Sequence, residues 1–195
     1  MKTRNYVLYA LYLFPLALFI GSCTSGTSGQ GDEGAQAEEP TNAIAQGHLK
    51  VWNEAIAQVM ELADAMEENQ YSYRPHDSIR TFGEQLVHIG GSSKMLANLF
   101  LKDIPIPQDQ PEMDVSSMNK QEIKDFVRTQ LEETGAIFGS LSDQQLQEEI
   151  KSFSGKAMTR LEGMLMVHDH LTNHKAKANL YVRISGNQPP SYRYY

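Results

Sequence analysis

From Ile44 onward the apolar positions recur at three- and four-residue spacing. Ile44, Val51, Trp52, Ile56, Val59, Leu62 and Met66 share one face of a first amphipathic helix, which runs out at Glu67-Glu68-Asn69. Residues 71–75 then read as extended chain, because Pro75 disfavours helix at Arg74. Thr81 and Glu84 have the spacing of a capping box, in which hydroxyl and carboxylate satisfy free amide donors. Phe82, Leu86, Ile89, Leu96 and Phe100 trace the stripe of the second helix behind it. Residues 103–118 hold Pro105, Pro107 and Pro111 and interrupt helix; so long a connector lets two successive helices run parallel. Asn119 and Glu122 cap a third helix, whose buried side is Ile123, Val127, Leu131, Thr134, Phe138 and Leu141. Ser142 caps a short helix expected to reach Ile150. Thr159 and Glu162 open a long fourth helix that ends near Ser185, with Gly186 as terminator and Pro189-Pro190 beyond. No alternating strand pattern of any length occurs. The predicted fold is therefore all-α, with four long helices and a short extra helix before the last.

Residues 1–40 follow other rules. Lys2 and Arg4 precede an uncharged apolar stretch, Tyr6 to Ile20, followed by Gly21-Ser22-Cys23. A basic start, a short apolar run and small residues describe a signal peptide. Ile20-Gly21-Ser22-Cys23 resembles the bacterial lipobox, whose cysteine is lipidated and becomes the mature N-terminus. The run is short for an uncleaved span, which needs about 20 residues. The expectation is a signal peptide over 1–22, then lipidated Cys23 and a flexible linker to Pro40, with a helical domain over 41–195 held at the cell envelope outside the cytoplasm. Residues 24–40 are rich in Gly, Ser, Thr and acid without a large apolar side chain, so they bury too little surface to offset their ordering entropy. Cys23 is the one cysteine, so the body has neither an intramolecular disulfide nor a thiolate ligand. The formal net charge is -7, and removing Lys2 and Arg4 with the leader leaves -9, a field that argues against nucleic acid. The expected partners are a small molecule and, through the lipid, a membrane; a homodimer stays open.

His170 and His174 are four apart on the last helix, which puts both imidazoles on one face and suits two ligands to one ion. By itself the spacing also fits two surface histidines. Val167 and Tyr181 lie on the same side and mark the face as partly buried. His88 flanks the stripe of the second helix in line with Ser92, Met95 and Leu99. Gly90 and Gly91 follow it, each costing about 1 kcal/mol in a helix relative to alanine. They denote either a local break or the close approach of another helix or a ligand.

The segments Tyr73-Arg74-Pro75 and Thr81 through His88 resemble the region of the first histidine in the DinB-like, damage-inducible family. His170 through Arg183, followed by Gly186 and Pro189-Pro190, resembles that family's last helix. The resemblance runs over about residues 44–192. It implies a four-helix bundle in up-down-down-up order, in agreement with the long connector, and a metal site on His88, His170 and His174. The family pattern of His-Arg-Gly-Gln reads His174-Lys175-Ala176-Lys177 here, and Asn173 stands where a second histidine is frequent. Lys177 thus brings a cation to a position where the family carries an amide. His48, His76 and His168 are not expected to be ligands.

Three neutral imidazoles around a divalent ion leave a position for water or substrate, unlike closed four-ligand structural sites. Nitrogen ligation admits zinc, nickel, copper or iron, with zinc, nickel or iron the expected ions. The resemblance extends to metal-dependent thiol transferases and isomerases, and an ion that lowers the pKa of its water to about 7 would also suit hydrolysis. A metal-dependent enzyme acting on a small molecule, a non-catalytic metal- or ligand-binding lipoprotein, and a bundle with packed histidines all remain open. No general base stands out: Glu84 is near enough in sequence, but its capping role competes, and Asp169 points away from His170.

Overall fold

A computed structural model describes residues 41–109 and 113–194. The signal peptide, lipidated Cys23 and linker expected over residues 1–40 lie outside the described residues. The four long helices are α1 (Ala43–Ala65), α2 (Phe82–Lys102), α3 (Lys120–Gly139) and α5 (Arg160–Ile184). A four-residue helix α4 (Asp143–Leu146) and a hairpin of β1 (Glu149–Lys151) and β2 (Ala157–Thr159) come between α3 and α5.

The expected local stop and start signals do their work. Thr81 Oγ1 accepts from Glu84 N at 3.2 Å while the Glu84 carboxylate accepts from Thr81 N at 2.6 Å. Asn119/Glu122 and Thr159/Glu162 repeat the exchange. At the far end of α5, Gly186 takes φ 82°, and Gly186 N and Asn187 N bond back to the carbonyls of Arg183 and Val182. That pairing is the Schellman motif, and it relies on a left-handed residue. Only α1 lacks a local cap: the Asp143 carboxylate, a hundred residues on, accepts from Ala43 N at 3.2 Å and Ile44 N at 2.9 Å.

Contacts between helices give the order. On α2 and α3, Gly83 meets Ile123, Gly90 meets Val127 and Lys94 pairs with Glu133, so numbers rise together and the helices are parallel. On α2 and α5, Phe82 meets Tyr181 and Phe100 meets Gly163, so they are antiparallel. Asp64 reaches Lys124 while Trp52 Nε1 donates to the Leu131 carbonyl, which makes α1 and α3 antiparallel. His48 faces His168 and Gln58 faces Lys175, which makes α1 and α5 parallel. The result is the up-down-down-up bundle. Its centre is filled by Trp52, Phe82, Leu86, Phe100, Leu131 and Phe138, none more than 2% exposed. Burial of each such side chain contributes about 1.5–3 kcal/mol.

Two details differ from the sequence-based expectation, and a third decides between two alternatives left open for Gly90-Gly91. The short helix stops at Leu146 and does not reach Ile150; β1 follows, with Ile150 opposite Met158. Gly155, at φ 76°, turns the chain between the strands, and Ile150 tucks its side chain towards Gly163. Ile44 is 42% exposed, and Ala45 takes the buried position beside it. Gly90-Gly91 does not break α2. A Cβ on Gly90 would stand 3.1 Å from Val127 Cα, so this glycine lets two parallel helices touch.

Candidate metal centre

Antiparallel packing of α2 on α5 presents two narrow polar stripes to each other. On α2 these are Gln85, His88 and Ser92; on α5 they are His170, His174 and Lys177. Within each stripe the residues are three or four apart and so share a face. His88, His170 and His174 come together: one ring nitrogen from each lies within 4.8 Å of the other two. Ring centroids are 4.3 Å apart for His88/His174, 4.5 Å for His170/His174 and 5.4 Å for His88/His170.

His88 Nε2 and His174 Nε2 stand 3.3 Å apart. Two nitrogens bound to one zinc ion at about 2.0–2.1 Å and a tetrahedral angle would be separated by about 3.3–3.4 Å. The third ring supplies an independent mark. His170 Nε2 is buried and has no hydrogen-bond partner. A polar atom removed from water without a partner costs about 1–3 kcal/mol, and such atoms ask for a reason. A cation shared with its two neighbours gives one. The donor set therefore fits a divalent ion.

Electrostatics keep the cluster in the form a ligand needs. Burial lowers the pKa of His174 to about 3, helped by His88, His170, Lys177 and Arg80. Burial, then Lys177, lowers that of His170 as well. Both rings are neutral at pH 7, so a metal has no proton to displace from a charged imidazole.

Two supporting residues hold the rings. Ser92 Oγ lies 3.0 Å from His88 Nδ1. The Gln85 amide lies 2.8 Å from His174 Nδ1 and also donates to the His174 carbonyl at 3.2 Å. Ser92 is legible in sequence as part of the His88 line. Gln85 is not singled out there; the signal that could find it is its place three residues before His88, on the same helix face.

The other histidines are elsewhere. His168 Nδ1 meets His48 Nε2 on the α1 side, and exposed His76 bonds Ser78 within its turn. Glu84 stays in its cap and pairs with Arg74 at 3.3 Å, and Asp169 is exposed. Cys23 lies outside the described residues. Beside His174 and Gln85 a cleft of about 690 Å³ opens, lined also by Arg80, Lys177 and Tyr181.

Comparison with known proteins agrees with this geometry. The sequence pattern of the DinB superfamily matches residues 52–177. YjoA of Bacillus subtilis (strain 168) is 29% identical over 133 residues, which is 65% of this chain and 81% of YjoA. Its crystal structure, a DinB-like protein, superposes with a TM-score of 0.61 at 24% identity, over 74% of this chain and 94% of that one. A DinB-like protein from Bacillus cereus ATCC 10987 gives 0.62 at 16% identity, over 76% and 97%. YfiT from Bacillus subtilis, described as a probable metal-dependent hydrolase with an unusual four-helix bundle topology, gives 0.55 at 17% identity, over 77% and 92%.

Proposed function

The chain belongs to the DinB superfamily, and on that footing we propose that it binds one divalent metal ion through His88, His170 and His174 and works as a metal-dependent enzyme on a small molecule. The observation that carries this reading is the unpartnered, buried Nε2 of His170 beside the 3.3 Å pair of His88 and His174. Zinc, nickel and iron all suit three imidazoles.

A divalent ion held here supplies Lewis acidity, which polarises a carbonyl or lowers the pKa of water or a thiol. The reaction is of hydrolase or thiol S-transferase type, and the description of YfiT as a hydrolase supports the first. The chain's own part is to hold and orient. With Ser92 Oγ accepting from His88 Nδ1, Nε2 of that ring would be left as the ligating atom. Gln85 orients the His174 ring through Nδ1; with its amide oxygen turned to Nδ1 it would keep the proton there and leave Nε2 to ligate. Three protein ligands with a cleft alongside favour catalysis over a purely structural ion, which four protein ligands would close off.

The protein is further proposed to be exported and held at the cell envelope by a lipid on Cys23. The apolar run ending at that cysteine motivates this. Cys23→Ala should abolish incorporation of labelled lipid and release the protein from membranes; undiminished labelling would refute the anchor. For the metal, protein purified without a His-tag should carry about one equivalent of a divalent ion by elemental analysis. Absence of metal after chelation and reloading with zinc, nickel or iron would leave the histidines as packing residues.

A further inference from the structure

We propose that a second cleft, between α1 and α5 and walled by the C-terminal segment, binds a small aromatic carboxylate, with the carboxylate on Lys175 and the ring over Ala55 and Ala176 against Tyr192. His174 lines the cleft at the metal centre and His168 lines this one, so the two open on different sides of α5. The proposal goes beyond the metal-site reading and does not depend on it.

Parallel packing sets the two long walls. Val51, Ala55, Gln58 and Leu62 recur at three- and four-residue spacing on α1, as do Thr172, Lys175, Asn179 and Arg183 on α5. The third wall is the chain after α5, and it is tied down. Arg193 Nη1 and Nη2 donate to the two Glu61 oxygens at 2.8 and 2.6 Å, and Nε donates to Glu54 at 2.5 Å. The Arg193 carbonyl accepts from Gln58 Nε2 at 2.9 Å, and Pro189 is buried. A wall held in place before a ligand arrives need not be ordered by it, which removes part of the cost of binding.

The charge of this cleft runs against that of the chain. The sequence carries a formal -7, yet Lys175, Arg183 and Arg193 line the cleft and no Asp or Glu does. Arg193 is spent on Glu54 and Glu61. Arg183 donates to the neutral Asn179 amide at 3.0 Å and stands about two turns along α5 from Lys175. Lys175 is half-buried, and its hydrogen bond among the described residues goes to the neutral Gln58 Oε1 at 2.7 Å. Glu54 favours the Lys175 charge but is itself held by Arg193. An ammonium has three donors, so Lys175 keeps two for a ligand while Gln58 aims it. The preference for a ring follows from the small and aromatic lining. Ala55 and Ala176 put only methyl groups into the cleft, and Tyr192, 88% exposed, offers its ring at the mouth. A volume near 390 Å³ lies in the range of small-molecule sites.

Phenylacetate is a suitable probe, with phenylacetamide as its uncharged counterpart of nearly the same shape. Ligand-observed NMR titration of the full-length protein after chelation, when no ion can take the carboxylate, should show phenylacetate binding and much weaker binding of the amide. Lys175→Gln should weaken phenylacetate about tenfold, the loss of one charge-assisted hydrogen bond, and Lys175→Arg should keep most of the affinity. Ala176→Trp fills the cleft from an exposed helix position, so it should abolish binding at an unchanged melting temperature. Lys177→Gln, in the cleft beside His174, should bind phenylacetate as the wild type does. Equal affinity for acid and amide, or undiminished binding in the Ala176→Trp protein, would overturn the proposal. So would a loss in Lys177→Gln as large as that in Lys175→Gln, which would put the ligand in the other cleft.

Discussion

Helix α5 carries two histidine groups with nearly the same internal spacing and different prospects. Towards α2, His174 and His88 place ring nitrogens 3.3 Å apart; towards α1, His168 and His48 do the same. The distance between two imidazoles is thus compatible with a shared ion but does not by itself mark one. On the α2 side a third ring joins, one of its nitrogens lacks any partner, and a cleft opens next to the group. On the α1 side the pair meets aromatics edge-on, with Phe138 5.1 Å from His48 and Trp52 5.6 Å from His168, and the cleft that reaches His168 is smaller, about 390 Å³. Among the described residues no third His, Cys, Asp or Glu ligand completes it. At about 100° per residue, His170 and His174 differ by about 40° in helical phase, whereas His168 is about 120–160° away from both. One residue type therefore forms a candidate ligand set on one face and packing on the other.

The sharpest way to break that comparison is to remove one ring from each group. His174→Ala should cost more metal affinity than the about 10–100-fold typical of losing a supporting residue, because a two-imidazole remnant competes poorly with water. His168→Ala should bind zinc as the wild type does. In melts, zinc at a hundredfold excess over Kd should stabilise the wild type and His168→Ala by about 2.7 kcal/mol and His174→Ala by almost nothing. Equal zinc content in wild type and His174→Ala after matched reloading would erase the distinction. A smaller effect is expected at Gln85. Gln85→Leu keeps the volume but withdraws the amide from His174 Nδ1, and should weaken zinc about 10–100-fold without unfolding the bundle. An unaltered affinity, measured by competition with a chromophoric chelator, would mean that Gln85 only fills space.

What could be read from the sequence, and what could not, follows the range of each interaction. Capping boxes close over three residues, so Thr81/Glu84, Asn119/Glu122 and Thr159/Glu162 were visible and are formed. The cap on α1 was invisible because its carboxylate is that of Asp143, brought in by the fold. Helical phase was enough to set His168 apart from His170 and His174. It did not predict that His168 would face His48, since that depends on α5 lying parallel to α1. The hairpin leaves no mark in the sequence because three-residue strands are too short to show a period. The meeting of His88 with the α5 pair was implied by family resemblance. Side-chain packing then placed Gln85 and the Arg80/Lys177 wall around it.

The smallest expected effect tests the packed pair by itself. Burial, and secondarily the neighbouring His168, lowers the pKa of His48 from 6.5 to about 4. The sign follows from which state takes the proton. Between these two values the unfolded chain protonates His48 and the folded chain does not, so acid favours unfolding. The contribution of neutral His48 is complete above pH 6.5, declines as pH falls, and levels off below about pH 4. His168, His170 and His174 are lowered too and impose an acid dependence of their own, so the informative quantity is a difference. In metal-free protein, urea melts at pH 7.5 and 4.5 should show a smaller loss of stability for His48→Gln than for the wild type. Zinc content at pH 7.5 should be the same in both, because His48 contacts His168, Trp52 and Phe138 and none of the three clustered rings. An identical acid slope in the two proteins would show that His48 titrates freely. The α1 side would then be a solvated pair, and the contrast between the two faces of α5 would rest on ligand number alone.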